Sequence, residues 1–178
     1  MCPAPTQQPS TQRTELRPPT AGPAVLRGLD RIPWAEIQDS SGSAAAVPAL
    51  LGRVAGDDPE AALAALAELR GRVCQYGFVV EQATAATVPF LWELAQHPGV
   101  TCRAQIIRLL KNIADARQWE STAAVYPKLL NHRENPVVWE RAARQAVRAR
   151  RAALERLMAD DDTEVTRVTS ELARVIGE

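Results

Sequence analysis

Few residues in this chain are equipped for chemistry. It has two histidines, His97 and His132, and three cysteines, Cys2, Cys74 and Cys102. Cys102 follows His97 by five positions, across a Pro98-Gly99 turn. A thiol at a helix N-terminus can be acidified by the helix dipole, and a nearby imidazole could take its proton. Catalysis would also need a group to orient the base and donors for a developing oxyanion. Neither accompanies the pair, so Cys74 and Cys102 read as small apolar helix residues. An odd cysteine count with long spacings and no CxxC fits neither a disulfide framework nor a zinc site, and suits a reducing compartment. Asp160-Asp161-Asp162 lacks the glycine and distal glutamate of a calcium loop. It reads as a helix N-cap, as does Asp58 ahead of Pro59. The chain has no glycine-rich phosphate loop. The expectation is a protein without catalytic residues, metal or cofactor.

The arginines are more patterned. Of 21 basic residues only Lys111 and Lys128 are lysines. Net charge is zero, but it is divided along the chain: through Pro98 there are 7 Lys+Arg against 10 Asp+Glu, and beyond it 14 against 11. Arg103, Arg108 and Lys111 fall on one expected helix. Arg141, Arg144, Arg148 and Arg151 recur on the next at helical spacing, with Trp139 one turn ahead. Such a stripe reads two ways, as a solvated face or as a surface for an anionic partner. The candidate contact set is Arg103, Arg108, Lys111, Trp139, Arg141, Arg144, Arg148 and Arg151. An acidic protein surface fits it better than nucleic acid, because no aromatic ladder interleaves the cations for base stacking. Trp92, among Phe90, Leu91 and Leu94, reads as core.

Helices must position these residues. Apolar residues make up 46% of the 178 and aromatics 4%, so Ala, Leu, Val and Ile have to build the core. Leu63, Leu66, Leu69 and Val73 share one helical face, and Ile106, Leu109, Leu110 and Ile113 another. Residues 1–28 carry Pro3, Pro5, Pro9, Pro18, Pro19 and Pro23 and read as a disordered tail ahead of a folded domain over 29–178. Leu29 to Gln38 reads as a short cap, and Asp39 to Ser43 as a turn supplying an N-cap. Tyr76 to Val80 reads as a loop. Pro136 to Ala159 holds no breaker and predicts one long helix, with a last helix from Thr163 to Ile176. No apolar run reaches the ~20 residues of a membrane span. A cytoplasmic location is expected.

The folded part repeats itself. AVPALLGRVAGDDPEAALAALAELRGRV begins at Ala46, TVPFLWELAQHPGVTCRAQIIRLLKNIA at Thr87, and AVYPKLLNHRENPVVWERAARQAV at Ala124. Each unit reads as a proline-opened apolar helix, a polar break and a second helix. Pro48 precedes Pro89 by 41 residues, and Pro89 precedes Pro127 by 38. These spacings lie close to the ~40–47-residue period of HEAT and armadillo repeats. With the loose Val/Arg element at Val100 and Arg103, Val138 and Arg141, and Val165 and Arg167, the chain resembles HEAT-like helical-repeat proteins. Leu29-Asp-Arg-Ile-Pro-Trp34 and the segment Gln75 to Thr84 running into Val88-Pro-Phe-Leu91 are similar to a narrower bacterial HEAT-like group. The resemblance implies an all-α fold, a short right-handed α-solenoid of three to four helical pairs. Second helices would line its inner face, and Arg103 to Arg151 would make that face basic. It further implies a non-catalytic protein that binds, and inhibits or regulates, one protein partner in the manner of an immunity or adaptor protein. The alternative is a nucleic-acid binder or DNA-glycosylase-type enzyme, for which Glu140 and Trp139 are the available groove residues.

Overall fold

Proline and short polar side chains set half of the described α-helix starts, those at Val47, Pro59, Pro136 and Thr163. The computed structural model describes residues 26–129 and 135–177. Most of the tail and the 130–134 break, including His132, lie outside the described residues. Pro48 sits in the first turn of α1 (Val47–Val54). Asp58 caps α2 (Pro59–Val73), accepting the backbone N–H of Glu60 at 3.0 Å and of Ala61 at 3.3 Å, with Pro59 pre-set at the first helical position. Then come α3 (Thr84–Gln96), α4 (Arg103–Asp115), α5 (Gln118–Val125), α6 (Pro136–Arg148), α7 (Ala153–Met158) and α8 (Thr163–Gly177). Asn135 caps α6 and Asp162 caps α8 through backbone N–H groups two to three residues on.

The protein is all-α in its bulk, with two small antiparallel hairpins. β1 (Gln38–Asp39) pairs with β2 (Gly42–Ser43), and β3 (Cys74–Gln75) with β4 (Val79–Val80). Ser43 accepts the N–H of Ala45 and so caps the 3-10 turn leading into α1, as its sequence predicts. The Leu29–Arg31 segment is a 3-10 turn, and Trp34 after it is buried against Phe90.

α4 is the hub. Ile106, Ile107, Leu109, Leu110 and Ile113 are buried, an apolar arc wide enough for several neighbours. α3, α6 and α8 pack on it, α7 lies on α3, and α2 packs chiefly on α1. Trp92 is fully buried, as expected.

Four sequence expectations need correction. Pro89 lies inside α3 and does not open it; the five residues before it are already helical, and the missing N–H costs one internal bond. Pro127 follows α5 instead of starting the third unit. The helix expected from Pro136 to Ala159 breaks after Arg148. There Arg150, Arg151, Ala153 and Leu154 bond to carbonyls three residues back. Arg148 to Ala152 are all exposed, so no buried side chain holds that stretch in α geometry, and three like charges crowd it. Finally, Leu63 leaves the buried stripe of α2, which keeps Leu66, Leu69 and Val73.

Candidate functional site

The expected basic residues fall into three separate places. On α4, Arg103 pairs with Asp160 and donates from Nε to the Ala95 carbonyl at 2.8 Å. Arg108 pairs with Glu164, and Lys111 with Glu171 at 2.9 Å. Arg167 of α8 braces the same row, reaching Glu164 at 2.8 Å and also Glu171. The cations of α4 therefore serve as a seam to α8. Hydrogen bonds from Arg103 and Lys111 hold the carboxyls of Asp160 and Glu171 below their ordinary range, and Arg167 does the same for Glu164.

On α6, Arg141 and Arg144 turn toward α5. Arg141 Nε donates to Glu120 at 2.7 Å, and Arg144 donates to Glu120 at 2.8 Å and to the Ala116 carbonyl at 2.7 Å. Glu120 is held below its ordinary range by the Arg141 hydrogen bond, with Arg144 adding to it. Glu140 is fully buried. Its two oxygens accept the N–H groups of Trp119 at 3.0 Å and Glu120 at 2.9 Å, and Arg144 lies 3.6 Å away. A carboxylate so placed caps α5 from another helix. The sequence offered Glu140 as a groove carboxylate; it is spent on structure. Trp139 is half-buried. Arg148 and Arg151 stand exposed at the 3-10 break, without an ion-pair partner among the described residues. The predicted stripe therefore does not converge on one open face.

The sulfur chemistry is equally quiet. Cys102 does fall at the N-cap of α4, but burial pushes its thiol up, against the dipole. Burial pushes Cys74 up to about 12. His97 Nδ1 accepts the N–H of Gly99 within its own turn.

An opening lies on the other flank of α4. Between α2 and α4 is a cleft of about 280 Å³. Leu63, Leu66, Ala67 and Arg70 form its α2 wall, and Gln105, Arg108, Leu109 and Asn112 its α4 wall. Leu63 is 44% exposed because it faces this space. Arg70 is exposed and carries no ion pair among the described residues.

The β3–β4 turn overhangs one end. Tyr76 and Gly77 both have positive φ, +55° and +84°, and Phe78 N–H returns to the Gln75 carbonyl at 3.2 Å. That is the backbone signature of a type I′ turn, where Asn-Gly is usual. A bulky residue in this region is strained. A Cβ built on Gly77 would lie 3.2 Å from Arg70 Nη2 and 3.3 Å from Asn112 Nδ2, so the turn rests on the cleft's own lining. Tyr76 is 73% exposed and Phe78 48%, with ring centroids 6.2 Å apart.

Leu63, Arg70, Tyr76, Phe78 and Asn112 had no place in the predicted contact set. The Tyr-Gly pair at a strand-like run was the available signal, masked because tyrosine is not a usual turn residue. No family model matches the chain, and neither a curated protein nor a solved structure matches it.

Proposed function

We propose that this protein is a non-catalytic binding module for one protein partner, engaged by the α2/α4 cleft and the Tyr76–Phe78 turn. The observation that carries the reading is the strained, exposed Tyr76 beside Phe78, in a turn whose Gly77 rests on Arg70 and Asn112 of the cleft. Backbone strain tends to persist where function uses it, and aromatic residues are enriched in protein-binding surfaces. The scaffold is read as HEAT-like, a short right-handed solenoid of three to four helical pairs. The consecutive helices α1/α2, α3/α4 and α7/α8 pack on each other and support three pairs, and α5/α6 would be a fourth. Second helices α2 and α4 then line the contact face, as the resemblance implies. An immunity- or adaptor-type role, restraining or recruiting the partner, follows from that resemblance alone.

Protein is favoured over nucleic acid because Arg103, Arg108, Lys111, Arg141 and Arg144 already meet carboxylates of the chain. Of the expected contact set only Arg148 and Arg151 are left without an ion pair among the described residues to displace counterions from phosphates. The test is capture from nuclease-treated lysate on immobilised full-length chain, beside a column carrying Tyr76→Ser and Phe78→Ser. The expected outcome is one stoichiometric protein, lost on the variant column. Equal retention on both columns would refute the proposed face. Retention of nucleic acid alone from untreated lysate, released between roughly 50 and 200 mM salt, would overturn the protein reading in favour of nucleic acid.

A further inference from the structure

The chemistry of the cleft specifies its occupant further, on the premise that the cleft is the docking face. Its volume of about 280 Å³ falls just below the ~300–1,000 Å³ typical of small-molecule and cofactor sites. It suits one large side chain. The base is apolar, built by Leu63, Leu66, Ala67 and Leu109. The polar lining is entirely cationic or amide: Arg70, Arg108, Gln105 and Asn112. Arg108 is engaged by Glu164, whereas Arg70 has no carboxylate among the described residues. An unneutralised guanidinium at the mouth of an apolar cavity is matched by a carboxylate next to an apolar anchor.

Two occupants from the chain itself fit less well. Residues 1–25 contain one carboxylate, Glu15, against Arg13 and Arg17, and so bring the wrong net charge. A second copy docking the same face by two-fold symmetry would set cleft against cleft, and the lining, with Arg70, Arg108, Gln105 and Asn112 as its polar groups, offers no carboxylate to Arg70.

We infer that the cleft receives a segment of another protein that presents a Leu-, Phe- or Trp-sized anchor with an Asp or Glu close beside it. The anchor enters between Leu63, Ala67 and Leu109, the carboxylate meets Arg70, and Tyr76 and Phe78 close over the segment at the turn.

Selection of a random dodecapeptide phage library on the biotinylated full-length chain tests this, followed by fluorescence anisotropy on synthetic copies of the enriched peptides. Three variants read the contacts. Ala67→Trp and Gln105→Trp fill the cavity from opposite walls, and Arg70→Gln removes the charge while keeping the stem. These positions are exposed, and unchanged thermal melts establish that each variant is folded. The expected result is enriched peptides pairing a large apolar residue with carboxylates, binding lost on both tryptophan variants and weakened about tenfold by Arg70→Gln. Peptides blocked by the tryptophans but lacking acids, or indifferent to Arg70→Gln, would overturn this inference and leave the docking face standing. Peptides indifferent to the tryptophans would overturn both. Failure to enrich any peptide would overturn the inference.

Discussion

The two flanks of α4 are built on opposite principles. Toward α8, Arg103, Arg108 and Lys111 each meet a carboxylate, and the apolar rows beneath are buried. Toward α2, Leu63 and Ala67 stay exposed and Arg70 has no ion pair among the described residues. One helix thus contributes a finished seam and an unfinished one. A row of arginines marks neither function nor solvent by itself; what decides is whether a matching acidic row lies on a segment that folds against it. Here Asp160, Glu164 and Glu171 supply that row. If this contrast is right, changes in the finished seams should alter stability and spare binding, and changes at the open cleft should do the reverse.

The largest effect should come from the α5/α6 seam. Glu140→Ala removes the buried cap from the N–H groups of Trp119 and Glu120 and leaves Arg144, itself buried, with less compensation. Breaking a buried pair from one side costs roughly 3–5 kcal/mol. Arg144 keeps Glu120, so about 3 kcal/mol is expected. Urea denaturation measures it, and Glu140→Gln, which retains an acceptor oxygen, should lose less. A cost below about 1 kcal/mol would mean that α5 is held by something other than this cap.

Acid separates the two flanks next. Asp160, Glu164 and Glu171 are held below their ordinary values of 3.8, 4.5 and 4.5. A depressed folded-state pKa adds stability that is complete above the unfolded value and is lost as pH falls through the folded one. Above about pH 5 the α4/α8 seam should therefore be fully formed, and it should weaken progressively below about 4.5. Hydrogen exchange should show α8 amides losing protection in that window, while α1 and α2 amides hold longer. Equal loss in all helices would show that the seam is not a separate unit. Salt should mimic acid most at the exposed Arg108–Glu164 pair and least at the more buried Arg103–Asp160 pair.

What the sequence conveyed follows the same division. Caps and apolar periodicity are local, so Asp58, Asp162, the α4 stripe and the last helix could be read directly from residue spacing. The bases of the Arg row were legible too, but their partners were not. Asp160 to Glu171 lie more than fifty positions from the cations they meet, and only tertiary packing brings them together. Leu63 followed the helical period correctly and still escaped burial, because periodicity says which side a residue faces and not whether a neighbour comes close. The Arg148 break was hidden for a related reason. Arginine and alanine are good helix formers, and that no residue from Arg148 to Ala152 is buried shows only once the helices are packed.

The smallest effect gives the sharpest test, because it should carry opposite signs for stability and binding. Tyr76 occupies a left-handed conformation that costs a non-glycine residue about 1–2 kcal/mol. Glycine relieves that strain and returns part of the gain through its greater freedom in the unfolded chain. Tyr76→Gly should therefore stabilise the fold by roughly 0.5–1 kcal/mol, visible as a raised urea midpoint. The same change removes the more exposed aromatic ring of the turn that adjoins the cleft, so the captured partner should bind more weakly by about tenfold. A variant that is more stable and binds equally well would reduce the turn to ordinary hairpin geometry. A less stable variant would mean that the Tyr76–Phe78 contact outweighs the strain. Stabilisation with loss of binding would show that the chain keeps a strained tyrosine where glycine would fold better, and that the open flank of α4 is where it is put to use.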